Sequence, residues 1–211
     1  MKNLIIVGAR GMARDVLQIA KDVNHIKPKW HIKGCIADWG QDIKTLTNAE
    51  LDTIGSIKEW RPEENEEFVC AISDPVGREK VVKELRGRGA KFINLIHPTV
   101  TLNDFCEIGE GNVIYPFVFV GANTKLGNYV VIHPTVIGHD VNIGDFTFVG
   151  GGCGILGEVY LGKRVYIGYN VVIVPGKKIN DDAYVGAGSV VIRNVAEGTK
   201  VFGNPARRGE F

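Results

Sequence analysis

The sequence predicts two domains: a small α/β domain of βαβ type over residues 1–95, then a parallel β-helix of hexapeptide repeats over residues 96–211. Three observations carry this reading. An aliphatic residue falls at every sixth position through Ile137, Ile143, Val149, Ile155, Leu161, Ile167, Ile173, Ile179, Val185 and Val191. The same ladder runs upstream through Ile96, Leu102, Ile108, Ile114, Val120, Leu126 and Ile132. Ahead of it the period is absent, and the chain opens instead on an apolar run, a glycine turn and apolar residues at helical spacing. A six-residue period fits neither a helix nor a lone alternating strand. Each hexad is one short strand and one turn, and three hexads close a triangular coil.

In chain order, Leu4–Val7 is the first strand, Gly8-Ala-Arg-Gly11 the turn, and Val16, Leu17, Ile19 and Ala20 the buried stripe of the first helix. Strand, glycine turn and helix open a Rossmann-like unit. Amides at the helix start and the short turn make a seat for an anion, and a strand-to-helix turn also needs glycine for its own sake. The second strand, Ile32–Ile36, ends at Ala37-Asp38, where such folds bind a ribose or base or simply leave an aspartate in water. Residues 39–67 are polar and show no clear element, with Arg61–Glu67 reading as an exposed acidic loop or short helix. Phe68–Ile72 is the next strand, with Ser73 and Asp74 at its edge. Gly77–Gly87 is a helix with Val81, Val82 and Leu85 inward, and Lys91–Ile96 is a last strand. His97-Pro98 then turns the chain into the hexads.

In the repeats, Ile108-Gly-Glu, Leu126-Gly-Asn, Ile143-Gly-Asp, Leu161-Gly-Lys and Ile179-Asn-Asp begin equivalent coils. Between Ile132 and Ile137 the step is five, so one turn lacks a residue just before His139. His139 and Asp140 project from a corner, where an imidazole whose other nitrogen meets a carboxylate makes a general base. One coil on, Gly150-Gly-Gly-Cys-Gly154 would let an extended cofactor approach the backbone. His133, before Pro134, faces substrate or simply shapes the turn. No second His or Cys falls at ligand spacing, so no metal is expected. After Val191 the hexads stop, and the tail ends in Arg207-Arg208.

Composition sets the outer bounds. A chain of 211 residues supports a substantial core, and a net charge of +1 gives no reason to expect nucleic acid or an anionic membrane. Cys35, Cys70, Cys106 and Cys153 form no CxxC pair and read as reduced core thiols of a cytoplasmic protein. The apolar run after Lys2 is too short for a signal peptide, and no stretch reaches membrane-spanning length.

Taken together, Leu4-Ile-Ile-Val-Gly-Ala-Arg-Gly11, Ala71-Ile-Ser-Asp74 with Arg78, Ile96-His-Pro98, Ile137-Gly-His-Asp140 with Ile143-Gly-Asp145, and Gly203-Asn-Pro-Ala206 resemble one family end to end. It is that of the bacterial sugar acetyltransferases, which includes the bacillosamine- and perosamine-type nucleotide-sugar N-acetyltransferases and the sialic-acid O-acetyltransferases. The resemblance implies a left-handed β-helix, an exception to the right-handed crossover rule. It also implies a homotrimer with acetyl-CoA between subunits. By position it makes His139 the general base and Asp140 its partner, and gives the nucleotide sugar to Arg10, Gly11, Met12, Ala37, Asp38 and Ser73. Acetyl-CoA falls to Phe148, Gly157, Tyr169 and Ala187. Met12 and Phe148 stand where relatives often carry histidine, and His133 replaces an asparagine. The expected activity is acetylation of a sugar amine on a nucleotide carrier for surface glycans. O-acetylation of a free sugar and a non-catalytic trimeric scaffold are the alternatives.

Overall fold

The structure, a computed structural model, describes residues 1–38 and 51–209. Residues 39–50, part of the stretch for which the sequence gives no element, lie outside the described residues. The chain divides into two units, Met1–Pro98 and Thr99–Phe211. The division falls after the His97-Pro98 turn rather than at 95/96, because that turn stays with the first unit. Helix α1 (Gly11–Ile26) packs on Leu95–Ile96, and His97 Nε2 lies 3.3 Å from Asp22 Oδ2.

The first unit is a parallel sheet of β1 (Lys2–Val7), β2 (Trp30–Ile36), β3 (Thr53–Gly55) and β4 (Glu66–Cys70), in the order β3-β2-β1-β4. The apolar run of β1 is fully buried at its centre, with β2 on one side and β4 on the other. Ala13, Val16, Leu17, Ile19 and Ala20 form the buried stripe of α1, as their spacing predicts. Helix α2 (Pro75–Gly87) starts two residues before its predicted Gly77, because Asp74 Oδ2 accepts from Gly77 N at 2.6 Å and caps the helix. It buries Val82 and Leu85, with Val81 half-buried.

The acidic stretch before β4 is largely exposed, as its composition suggests, and the exception is Glu66, where β4 begins. Glu66 is 0% exposed, and its carboxylate accepts from Lys33 Nζ at 2.8 Å, Trp60 Nε1 at 3.0 Å and Glu63 N at 3.1 Å. Three donors stabilise a carboxylate in a place that would otherwise reject it. The predicted strand Lys91–Ile96 is shorter, with a bridge at Phe92 and a strand only at Leu95–Ile96.

The second unit is the parallel β-solenoid, with three faces. Face A stacks Glu107–Ile108, Lys125–Leu126, Asn142–Ile143, Tyr160–Leu161 and Lys178–Ile179, the five equivalent starts read from the sequence. Face B runs from Val113–Ile114 through Val131–Ile132, Phe148–Val149, Tyr166–Ile167 and Tyr184–Val185 to Lys200–Phe202. Face C stacks Thr101–Leu102, Phe119–Val120, Val136–Ile137, Gly154–Ile155, Val172–Ile173 and Val190–Val191.

The second residue of each strand points inward, and Ile137, Ile155, Ile167, Ile173 and Val185 are fully buried. The coil does not stop at Val191. Val195 bridges to Ile179 on face A and Val201 lies on face B, both buried, so one more coil forms with irregular spacing.

The outward residues differentiate the faces. Face A is polar, with Lys125 Nζ 2.8 Å from Glu107 Oε1. Face B carries an aromatic ladder in which Phe148 stacks on Tyr166 at 4.9 Å and Tyr166 on Tyr184 at 4.8 Å, with Phe202 beyond at 5.9 Å. Face C presents Phe119, Val136 and Val172 to solvent.

Candidate active site

Nearly every corner of the solenoid turns by placing one residue in the left-handed region. On the corner joining face C to face A these are Phe105, Asn123, Asp140, Glu158 and Gly176, one per coil. Stacking of coils therefore puts Asn123 and Glu158 on either side of Asp140. His139 Nδ1 lies 2.6 Å from Asp140 Oδ2, and Asn123 Nδ2 donates to Asp140 Oδ1 at 2.5 Å. Hydrogen bonds from Asn123 first, and then His139, hold the Asp140 carboxyl below the usual carboxylate range. An ionised Asp140 accepts a hydrogen bond from Nδ1–H, which leaves the Nε2 lone pair facing outward. The His139 side chain is 64% exposed, so that nitrogen is open to a ligand.

Gly157 lies beneath the same ring. A Cβ there would come within 2.7 Å of both Cε1 and Nε2 of His139, so only glycine leaves the imidazole its place. The resemblance gives Gly157 to the cofactor. In the structure its first task is to seat the base.

The other predicted cofactor residues stand elsewhere. Tyr169 and Ala187 lie on the corner between faces B and C, so face C separates them from His139 within one chain. Phe148 is 2% exposed, enclosed by Tyr166 and by the His133 ring at 5.1 Å. Its place in the aromatic ladder encloses the ring within the chain.

In the first unit, the strand order puts a topological switch between β1 and β4, the usual ligand crevice of open parallel sheets. Gly8 sits there with φ +114°, and a Cβ would meet the Ala71 carbonyl oxygen at 2.9 Å. Arg10 and Gly11 are exposed at the start of α1, Met12 is half-buried in its first turn, and Ser73 is exposed in the link from β4 to α2.

Beneath this edge Arg78 is 1% exposed and donates from Nη1 to the carbonyls of Ile72 at 2.7 Å and Ser73 at 2.9 Å. Burial pushes its guanidinium down to about 10. Asp38 is half-buried beside Ala37, and its Oδ1 accepts from Ser56 Oγ and Lys58 N, both at 2.9 Å. That oxygen pins the turn after β3. Sequence reasoning missed Asn123, although its 17-residue offset from Asp140, one shortened coil, was readable.

Among the described residues, no three His, Cys, Asp or Glu side chains gather as a metal would require, and no helix is long and apolar enough to cross a membrane.

A parallel solenoid of hexads with an imidazole–carboxylate pair at one corner, after a Rossmann-like unit, defines a two-domain hexapeptide-repeat protein. Residues 3–85 match the PglD N-terminal domain, and residues 140–175 match the bacterial transferase hexapeptide (six repeats). A GDP-perosamine N-acetyltransferase of Escherichia coli O157:H7 is 33% identical over 149 residues, 66% of this chain and 66% of that one. The bifunctional protein GlmU of Clostridium botulinum (strain Loch Maree) is 27% identical over 117 residues, 26% of its own length.

Among solved structures, PerB from Caulobacter crescentus in complex with CoA and GDP-perosamine has a TM-score of 0.88 at 24% identity, over 100% of this chain and 98% of that one. The acetyltransferase domain of PglB from Neisseria gonorrhoeae in complex with acetyl coenzyme A has a TM-score of 0.87 at 21% identity, over 99% of both chains. These likenesses establish the shared fold. The chain carries a PglD-type N-terminal domain followed by bacterial transferase hexapeptide repeats, and it spans just under two thirds of the length of the perosamine relative it matches.

Proposed function

We propose that the chain transfers an acetyl group from acetyl-CoA to an amino group of a nucleotide-activated sugar, in the synthesis of a surface glycan. The observation that carries this is the His139–Asp140–Asn123 relay, which leaves a basic Nε2 exposed above Gly157. The perosamine relative and the structures named with CoA and GDP-perosamine support the choice of donor and acceptor. The crevice at Arg10–Met12 and Ser73 is the seat we assign to the nucleotide.

In the reaction the sugar amine attacks the thioester carbonyl. The new C–N bond forms as the C–S bond breaks, and the amine proton passes to His139 Nε2 and then to the departing CoA sulfur. His139→Ala should lower turnover, read as release of free CoA thiol, on the order of a hundredfold or more. Near-wild-type turnover in that variant would remove His139 as the base.

We further infer a homotrimer, supported by the apolar residues Phe119, Val136 and Val172 left exposed together on face C. The absence of a disulfide among Cys35, Cys70, Cys106 and Cys153 accords with a cytoplasmic location, where nucleotide sugars and acetyl-CoA are at hand.

A further inference from the structure

We propose that His133 is a positioning residue for the acyl donor, holding Tyr169 flat along the solenoid corner as a shelf for the extended arm of CoA. This inference rests on the acyltransferase reading and deepens it. Other corners between faces B and C place Phe117, Gly152, Asn170 and Gly188 in the left-handed region. The shortened turn His133-Pro134-Thr135 has no such residue. It hugs the core instead. Thr135 is buried and donates its hydroxyl to the Cys153 carbonyl at 2.6 Å, while the Pro134 carbonyl accepts from Gly152 N at 2.8 Å.

The missing protrusion opens a lane along the corner, and Tyr169 occupies it from two coils further on. Its ring passes over Gly151, where a Cβ would come within 3.1 Å of it, and its Oη lies 2.9 Å from His133 Nδ1. His133 is itself fixed, stacked on the buried Tyr115 at 3.9 Å and 21° and tilted against the buried Phe148 at 5.1 Å. Tyr169 nonetheless stays 45% exposed. An exposed tyrosine locked before binding spares the ligand the entropy of ordering it.

The ligand class follows from where the shelf lies. Face C, the apolar face, is bounded by the His139 corner on one side and the Tyr169 corner on the other. Burying face C against a second copy brings both kinds of corner to the rim of an intersubunit groove. A thin chain of methylenes and amides, such as the pantetheine arm, fits a phenol ring beside a glycine run. The base and the shelf then serve one donor.

The test is CoA binding by titration calorimetry and acetyl-CoA kinetics on the full chain, for wild type, Tyr169→Phe, His133→Leu, the double variant and His133→Gln. Tyr169→Phe removes the same hydrogen bond with almost no change in packing, so it carries the test even where His133→Leu unfolds. Each loss should weaken CoA binding about fivefold, the cost of re-ordering one side chain. KM for acetyl-CoA should rise more than kcat falls. The double variant should be no weaker than the weaker single, because both remove one interaction. His133→Gln, which can bond the phenol, should recover part of the loss. CoA binding to Tyr169→Phe equal to wild type, or single losses that multiply, overturns the inference alone. Wild-type protein that binds no CoA overturns the acyltransferase reading and this inference with it.

Discussion

Replacing Gly157 by alanine separates the geometry of the base from the fold. The added methyl would lie 2.7 Å from Cε1 and Nε2 of His139, against 3.4 Å for the near edge of ordinary contact. The imidazole must therefore retreat by about 0.7 Å or swing off Asp140, and a misplacement of about 1 Å is enough to cost roughly a hundredfold. The ring is mostly exposed and can move into solvent, and Gly157 is not in the left-handed region, so the backbone accepts alanine. Stability should hardly change. We expect Gly157→Ala to melt within about 2 °C of wild type, as surface changes of under ~0.5 kcal/mol do. Its kcat, followed by CoA thiol release, should fall about as far as that of His139→Ala. A variant with wild-type kcat would show that His139 does not act from the position in which Gly157 seats it.

Three further perturbations test other parts of the argument. Asn123→Ala removes the main bond that holds the Asp140 carboxyl low. A depressed carboxyl stays ionised to lower pH, so the variant should lose activity at higher pH than wild type on the acid limb of a pH–rate profile, with a smaller change near neutrality. Glu66→Ala leaves Trp60 Nε1 and the Glu63 amide without their buried acceptor, and should cost about 3 kcal/mol in urea unfolding, at one to three per orphaned donor. Val172→Asp puts charge on the apolar face C, and on the trimer proposed above light scattering after gel filtration should show conversion to monomer. A trimer that persists would move the interface elsewhere.

The solenoid was legible because each coil writes itself into the chain at a fixed interval, so that Ile108, Leu126, Ile143, Leu161 and Ile179 could be placed on one face before any coordinates. The five-residue step marked the shortened turn, and its neighbours His139 and Asp140 do pair. What was not legible depended on partners without a regular offset. Asp38 gives one oxygen to Ser56 and Lys58, and Glu66 is held by Lys33 and Trp60, distances along the chain that no repeat announces. Phe148, Tyr166, Tyr184 and Phe202 recur at the coil interval, and counting it would have placed Phe148 in an aromatic stack.

Asn123, the His139–Asp140 pair and Gly157 come from three consecutive coils, and the side-chain contacts that build the pair stay within them. This has a consequence for descent. Lineages can lengthen or shorten the solenoid by whole coils toward its end, changing subunit height while the acid–base corner is inherited intact. A single inserted residue is different, because it would turn the side chains of its hexad between core and solvent. Selection on this architecture should therefore count in coils, and the five-residue step before Ile137 marks one place where a smaller change was kept.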